Sequence, residues 1–165
     1  MAKAGLYTIE SDRLSFRRDG HWYSGSERIE NARIALLFSR GVRRASDGSY
    51  YLQIADERAP VEVEDTAFVV RTIEDGPRGW PLLVLNDGER EPLDPKTLSV
   101  GPDNVLYCTV KHGEYRARFL RSAYYHLARL FETDDGGGSF LVVGTQRYEI
   151  ELQKPGGTAP ETLRS

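Results

Sequence analysis

The sequence predicts an α+β protein built from two related, mostly antiparallel β units, each with one helix. Three observations predict it. Stretches of apolar–polar alternation, the period of a half-buried strand, recur along the chain between glycine-containing turns. Two other stretches, 31–39 and 120–131, carry their apolar residues at helical spacing instead. Finally, these elements recur in the same order. Gly20-His21-Trp22-Tyr23, Arg28 and Ile34-Ala35-Leu36-Leu37-Phe38 have counterparts in Gly113-Glu114-Tyr115-Arg116, Arg121 and Leu127-Ala128-Arg129-Leu130-Phe131, at a constant offset of 93 residues. Internal repeats take precedence because they decide the architecture.

In chain order, Leu14-Ser15-Phe16 alternates, Asp19-Gly20 supplies a tight turn, and Trp22-Tyr23 begins the return strand. Ile34, Leu37 and Phe38 share one helix face, with Gly41 placed to end the helix as a C′ glycine. Residues 42–45 and 50–54 flank Ser46-Asp47-Gly48 as a hairpin, and 60–65 alternate before the extended Ala67-Phe68-Val69-Val70. Asp75-Gly76-Pro77-Arg78-Gly79 is the densest interior cluster of breakers and marks the unit boundary. Pro81 to Leu85 is a strand turned by Asn86-Asp87-Gly88-Glu89; 105–110 and 115–119 form the second unit's hairpin. The second helix shows a stripe of Leu120, Tyr124, Leu127 and Phe131, and 140–143 with 148–152 close the unit. The expected organisation is a disordered or extended 1–13, an N-terminal unit over 14–78, a C-terminal unit over 79–153 and a disordered tail over 154–165.

Of 165 residues, 28% are charged and the net charge is −3, so no global field draws nucleic acid or an anionic membrane. The one cysteine, Cys108, excludes an intramolecular disulfide and suits a reducing compartment. With no signal-peptide pattern at the N-terminus and no apolar run long enough to span a bilayer, a cytoplasmic location is expected. Units of this size bury little surface alone, so a shared interface between them is also expected.

Several segments together resemble a bacterial family of uncharacterised proteins, the domain-of-unknown-function family 1285. They are Gly20-His21-Trp22-Tyr23-Ser24-Gly25, Leu37-Phe38, Asp47-Gly48-Ser49-Tyr50-Tyr51-Leu52, Val61-Glu62-Val63-Glu64-Asp65-Thr66-Ala67-Phe68, Glu114-Tyr115-Arg116-Ala117-Arg118 and Arg121-Ser122-Ala123-Tyr124-Tyr125. The resemblance runs from about Arg17 to Leu152. It implies a duplicated core, a second unit like a pleckstrin-homology-type barrel, and a small, nucleotide-like ligand at the unit interface in a signalling context. Where the family is expected to carry a tryptophan before the last hairpin, this chain has Asp134-Asp135-Gly136-Gly137-Gly138.

The residues themselves offer three constellations. Arg116 and Arg118 fall on one face of a strand and Arg121 opens the helix after it; three guanidiniums so placed can clamp a phosphate or carboxylate, or pair with nearby acids. At the 93-residue offset Arg116 and Arg118 stand where the first copy has Tyr23 and Gly25, which makes these arginines a feature of the second copy. Glu62, Glu64 and Asp65 are the acidic counterpart, suited to cation or acid–base chemistry or to pairing with arginines. Trp22, Tyr50, Tyr51, Tyr124 and Tyr125 can stack a base or fill a core.

His21, His112 and His126 lie at no metal-ligand spacing, and no nucleophile elbow or phosphate loop is present. No metal, cofactor or catalytic residue is therefore assigned. The expected site is a cleft between the units that binds a small anionic ligand through Arg116, Arg118, Arg121, Glu64, Asp65, Tyr125 and Trp22. Two alternatives stay open: a protein-interaction adaptor, and an enzyme using Glu64 and Asp65 with a histidine.

Overall fold

The computed structural model describes residues 3–4, 7–8 and 13–152, so the tail at 154–165 and most of the 1–13 segment lie outside the described residues. The chain divides into two compact units. Met1–Val69 with Leu85–Glu89 forms unit 1, and Val70–Val84 with Arg90–Ser165 forms unit 2. Among the described residues no helix is long and apolar enough to cross a membrane.

In unit 1, β1 (Lys3–Ala4) and β2 (Tyr7–Thr8) pair antiparallel. The main sheet uses β3 (Leu14–Phe16), β4 (Trp22–Ser24), β5 (Glu27–Arg28), β6 (Val42–Arg44), β7 (Tyr50–Ile54) and β8 (Glu57–Val63), with α1 (Ala32–Gly41) between β5 and β6. Its order is β5-β4-β3-β8-β7-β6, antiparallel except where β3 meets β8. Trp22 is 1% exposed and packs its indole against Phe16 and Phe38, with ring centroids 5.2 and 5.4 Å away. Asn31 caps α1, its side chain accepting from the backbone N–H groups of Arg33 and Ile34.

Gly41 is not the left-handed C′ residue that the sequence suggested, but the last residue of α1. It is glycine because a Cβ there would lie 2.8 Å from the carbonyl oxygen of Gln53 and 2.9 Å from a Leu52 methyl.

The remaining strands are β9 (Phe68–Asp75), β10 (Pro81–Leu85), β11 (Arg90–Pro92), β12 (Ser99–Val100), β13 (Leu106–Val110), β14 (Tyr115–Phe119), β15 (Phe131–Thr133), β16 (Ser139–Val143), β17 (Gln146–Glu149) and β18 (Glu151–Leu152). The second helix, α2 (Arg121–Ala128), follows β14. One sheet has the order β11-β10-β9-β14-β13-β12-β18, and a three-stranded one the order β15-β16-β17. β12 and β18 run parallel. The helix buries Ala123 and Leu127 and stops before Phe131, which belongs to β15 and not, as its spacing suggested, to the helical stripe.

The architecture is duplicated. β12-β13-β14-α2-β15-β16-β17/β18 repeats β3-β4-β5-α1-β6-β7-β8, down to the parallel closure of last strand on first. From the helix onward the true offset is 89 residues, not 93. Val42–Arg44 matches Phe131–Thr133, and Tyr50–Ile54 matches Ser139–Val143. The Ala45–Ser49 turn bonds recur as Asp134–Gly138, and the left-handed Gly48 as Gly137. Phe38 thus corresponds to Leu127, both fully buried. The four-residue difference is about one helical turn, which keeps two amphipathic helices in phase and makes the wrong alignment look right.

Across the strands the repeat is written in side chains. Glu62, Ser15, Tyr23 and Arg28 are lateral partners along β8-β3-β4-β5. Glu151, Ser99, Tyr107 and Arg118 are lateral partners along β18-β12-β13-β14. Lateral partners share a sheet face, so each unit carries one Glu–Ser–Tyr–Arg row on one face. Arg118 therefore matches Arg28, not Gly25. Arg28 follows Tyr23 by five positions whereas Arg118 follows Tyr107 by eleven, so the second hairpin is six residues longer.

Candidate functional site

β13 and β14 form the longer hairpin of unit 2, and its register decides what the arginines do. Ala117 and Phe119 turn into the core while Arg116 and Arg118 occupy the other face. On that face Tyr107 lies directly across from Arg118, and Thr109 directly across from Arg116. The Arg116 guanidinium sits 3.7 Å from the centroid of the Tyr107 ring, a cation–π stack reached diagonally across the strand pair. Stacking holds the guanidinium flat and leaves its edge donors for an acceptor in the ring plane. Among the described residues Arg116 makes no ion pair.

Beside it lies a surface cavity of about 300 Å³. Lys96, Ser99, Thr109, Tyr107, Arg116 and Glu151 contribute to its wall. Lys96 stands on the 3-10 turn Pro95–Thr97, which Asp94 caps through the Lys96 N–H. Thr97 is already committed: its hydroxyl donates to the Asp94 carbonyl and accepts from the Thr109 N–H. Among the described residues two cations against one carboxylate leave this wall net positive. Cys108 also borders it but is 1% exposed; burial, with the charges of Glu91 and Asp94, pushes its thiol far above the usual range, so it is no nucleophile at neutral pH.

The other residues expected at the site are placed as follows. Arg121 is the exposed first residue of α2, and Arg118 is half-buried in the row described above. Tyr125 is 58% exposed on α2, beside Tyr124 at 5.7 Å between ring centroids. Trp22 lies in the core of unit 1 and donates through Nε1 to the Ser39 hydroxyl at 2.9 Å, so its ring faces protein on all sides. Glu64 accepts from the Arg18 N–H at 2.8 Å and pairs with the Arg18 guanidinium at 3.2 Å. Asp65 follows it, half-buried. Glu62 pairs with Arg13. Glu62 and Glu64 thus have partners in Arg13 and Arg18.

Glu62 and Glu64 line a second cavity, of about 360 Å³, with Arg13, Ser15 and Arg17; no histidine lines it. Arg17 stacks 3.8 Å above the Tyr23 ring and donates to the Gly25 carbonyl. This is unit 1's version of the Arg116–Tyr107 stack. Sequence reasoning missed Arg13, Arg17 and Lys96. A signal for the first two was present: Arg13-Leu14-Ser15-Phe16-Arg17 puts two cations on one strand face by strict alternation. Among the described residues no group of three His, Cys, Asp or Glu side chains is arranged to hold a metal ion.

No family model matches the chain, and no curated protein does. Solved structures do. A DUF1285 family protein from Silicibacter pomeroyi DSS-3 superposes with a TM-score of 0.66 at 20% identity, over 91% of this chain and 87% of that one. A DUF1285 family protein from Shewanella baltica OS155 superposes with a TM-score of 0.56 at 21% identity, over 72% of this chain and 91% of that one. The chain shares its fold with these proteins.

Proposed function

We propose that the protein is a non-catalytic binding module for a small anionic, nucleotide-like ligand, held by Arg116 on the β13–β14 face of unit 2. The observation that carries this reading is the Arg116 guanidinium, stacked on Tyr107, without an acidic partner among the described residues, and bordering a cavity that Lys96 makes net positive. A guanidinium in that state offers paired donors to a phosphate or carboxylate. The Ser99 and Thr109 hydroxyls stand ready for the ligand's neutral oxygens. The cavity volume is at the lower end for small-molecule sites, about 300–1,000 Å³, which favours a mononucleotide fragment or phosphate ester over a large cofactor. We further read the chain as a cytoplasmic member of the DUF1285 family with a sensing role in signalling, supported by the shared fold and the single buried cysteine.

Thermal-shift titration with ATP, GTP, AMP and inorganic phosphate tests this reading. At 100 times Kd a ligand adds about 2.7 kcal/mol, which is about 5–10 °C in Tm for a chain of this size. Arg116→Ala is expected to remove the shift. A flat response to all four, or a shift unchanged in Arg116→Ala, overturns it.

The adaptor reading stands second, favoured by the exposure of Tyr125 on α2. A lone exposed tyrosine is ordinary on a protein surface and is not a contiguous apolar patch. Retention of partners by immobilised wild type but not by Tyr125→Ser would raise it above the first.

A further inference from the structure

We propose that unit 1 carries a second small-molecule site, in the cavity bordered by Ser15, and that its ligand is a zwitterion of the free α-amino acid class. Ser15 is 9% exposed, borders the cavity, and its hydroxyl has no hydrogen-bond partner among the described residues. Buried polar groups are almost always satisfied, so an orphaned hydroxyl on a cavity wall points to a missing partner.

The charges around Ser15 specify the class. Its lateral partners are Glu62 on one side and Tyr23 on the other, and Arg17 is stacked on that tyrosine. Arg13 engages one carboxylate oxygen of Glu62 and leaves the other without a partner among the described residues. The Arg17 guanidinium donates one N–H to the Gly25 carbonyl, and its other N–H groups have no hydrogen-bond partner among the described residues. Among the described residues the wall holds the guanidiniums of Arg13 and Arg17 and the carboxylates of Glu62 and Glu64, and Glu64 is already paired with Arg18. A lone anion meets the Arg17 guanidinium but leaves the second Glu62 oxygen without a partner; a lone cation does the reverse. A ligand with an ammonium group for Glu62 and a carboxylate for Arg17 satisfies both, with Ser15 hydrogen-bonding between them. In the unit 2 cavity Lys96 and Arg116 outnumber Glu151, so sister cavities on equivalent strands select different ligands.

The test is an NMR titration of the full chain with glycine, L-serine and L-glutamine, against acetate and ethylamine at the same concentrations. Saturable shifts are expected at the amides of residues 13–17, 25 and 62–64 with the amino acids, and not with the single-charge controls. Ser15→Ala should weaken binding about tenfold, the worth of one hydrogen bond to a charged group. It should not lower the Tm of the free protein, because that hydroxyl has no partner among the described residues. Glu62→Gln should weaken binding at least as much, and Arg116→Ala should leave it unchanged, which separates this site from the one in unit 2. Absence of saturable shifts, equal response to acetate or ethylamine, or undiminished affinity in Ser15→Ala overturns the proposal.

Discussion

Asn86 donates through Nδ2 to the hydroxyl of Ser39 at 2.9 Å, 47 positions earlier in the chain. The same Ser39 oxygen accepts from Trp22 Nε1, and Asn86 Oδ1 accepts from the Val69 N–H at 2.9 Å. One amide and one hydroxyl therefore tie the Leu85–Glu89 turn, the start of β9, α1 and the core indole of unit 1 into a buried network. Such networks are costly to break in part, because each lost partner leaves another group unsatisfied.

Asn86→Ala is expected to destabilise the protein by about 1–3 kcal/mol, since it orphans the buried Val69 N–H and removes a donor from Ser39. Ser39→Ala should cost a similar amount through Trp22 and Asn86. Because the two act in one network, the double variant should cost less than the sum of the single ones. Chemical denaturation of the four proteins measures all three statements; additive losses would show that the network does not act as a unit.

Gly41→Ala is expected to cost about 1–3 kcal/mol, the range for overpacking. The new methyl would meet the Gln53 carbonyl oxygen at 2.8 Å, and backbone cannot rotate away. Gly25→Ala should cost less: nothing lies within 4 Å of its Cβ position, and only the φ of +61° opposes a side chain. Equal Tm losses for the two would contradict the packing explanation.

Cys108 gives a pH dependence with a definite sign. Burial raises the folded-state pKa of the thiol above its unfolded value, so its contribution is complete at neutral pH. Above pH about 8.5 the unfolded chain loses that proton and the folded one keeps it, and stability falls by about 1.4 kcal/mol per pH unit. Unfolding free energies between pH 8 and 10 should show this slope in the wild type and a shallower one in Cys108→Ala. The native thiol should also resist a disulfide reagent that modifies it rapidly in denaturant.

For the unit 2 site, Arg116→Lys keeps the charge but loses the planar stack and paired donors, so it should bind anions more weakly than wild type and better than Arg116→Ala. Tyr107→Leu should weaken binding through the lost stack, worth about 0.5–2 kcal/mol, and Tyr107→Phe should bind like wild type. Nucleotide titrations of these variants check the order; indifference to the residue at 107 would remove the stack from the account.

Much of the fold is legible in the sequence because its signals are local. The hairpins around Gly20, Gly48 and Gly113, the helix beginning near 31 and the alternation of Arg116 with Ala117 need only near neighbours. The parallel closures of β3 on β8 and of β12 on β18 join residues about 50 positions apart and carry no local signature. For the same reason the Glu–Ser–Tyr–Arg rows escape a linear comparison: their four members recur at offsets of 89, 84, 84 and 90. The duplication was therefore visible and its register was not. Of the candidate site, the shared face of Arg116 and Arg118 could be read from alternation, whereas Lys96 and Ser15 matter only through neighbours that folding supplies. Trp22 could not be assigned to core or site until Ser39 was seen to take its N–H.

The six additional residues of the β13–β14 hairpin divide what unit 2 shares with unit 1 from what it has alone. Its Tyr107 and Arg118 have counterparts in Tyr23 and Arg28, but Thr109 and Arg116 stand in the extension, where the β4–β5 hairpin has no equivalent position. A duplicated domain can diversify by rewriting its shared surface, at the risk of the framework, or by growing one element beyond it. Here the row is common to both units and the difference lies in the length of one hairpin. Lengthening or trimming that hairpin two residues at a time would accordingly change the Arg116 side of the cavity while leaving the row and the alternation of the strands untouched.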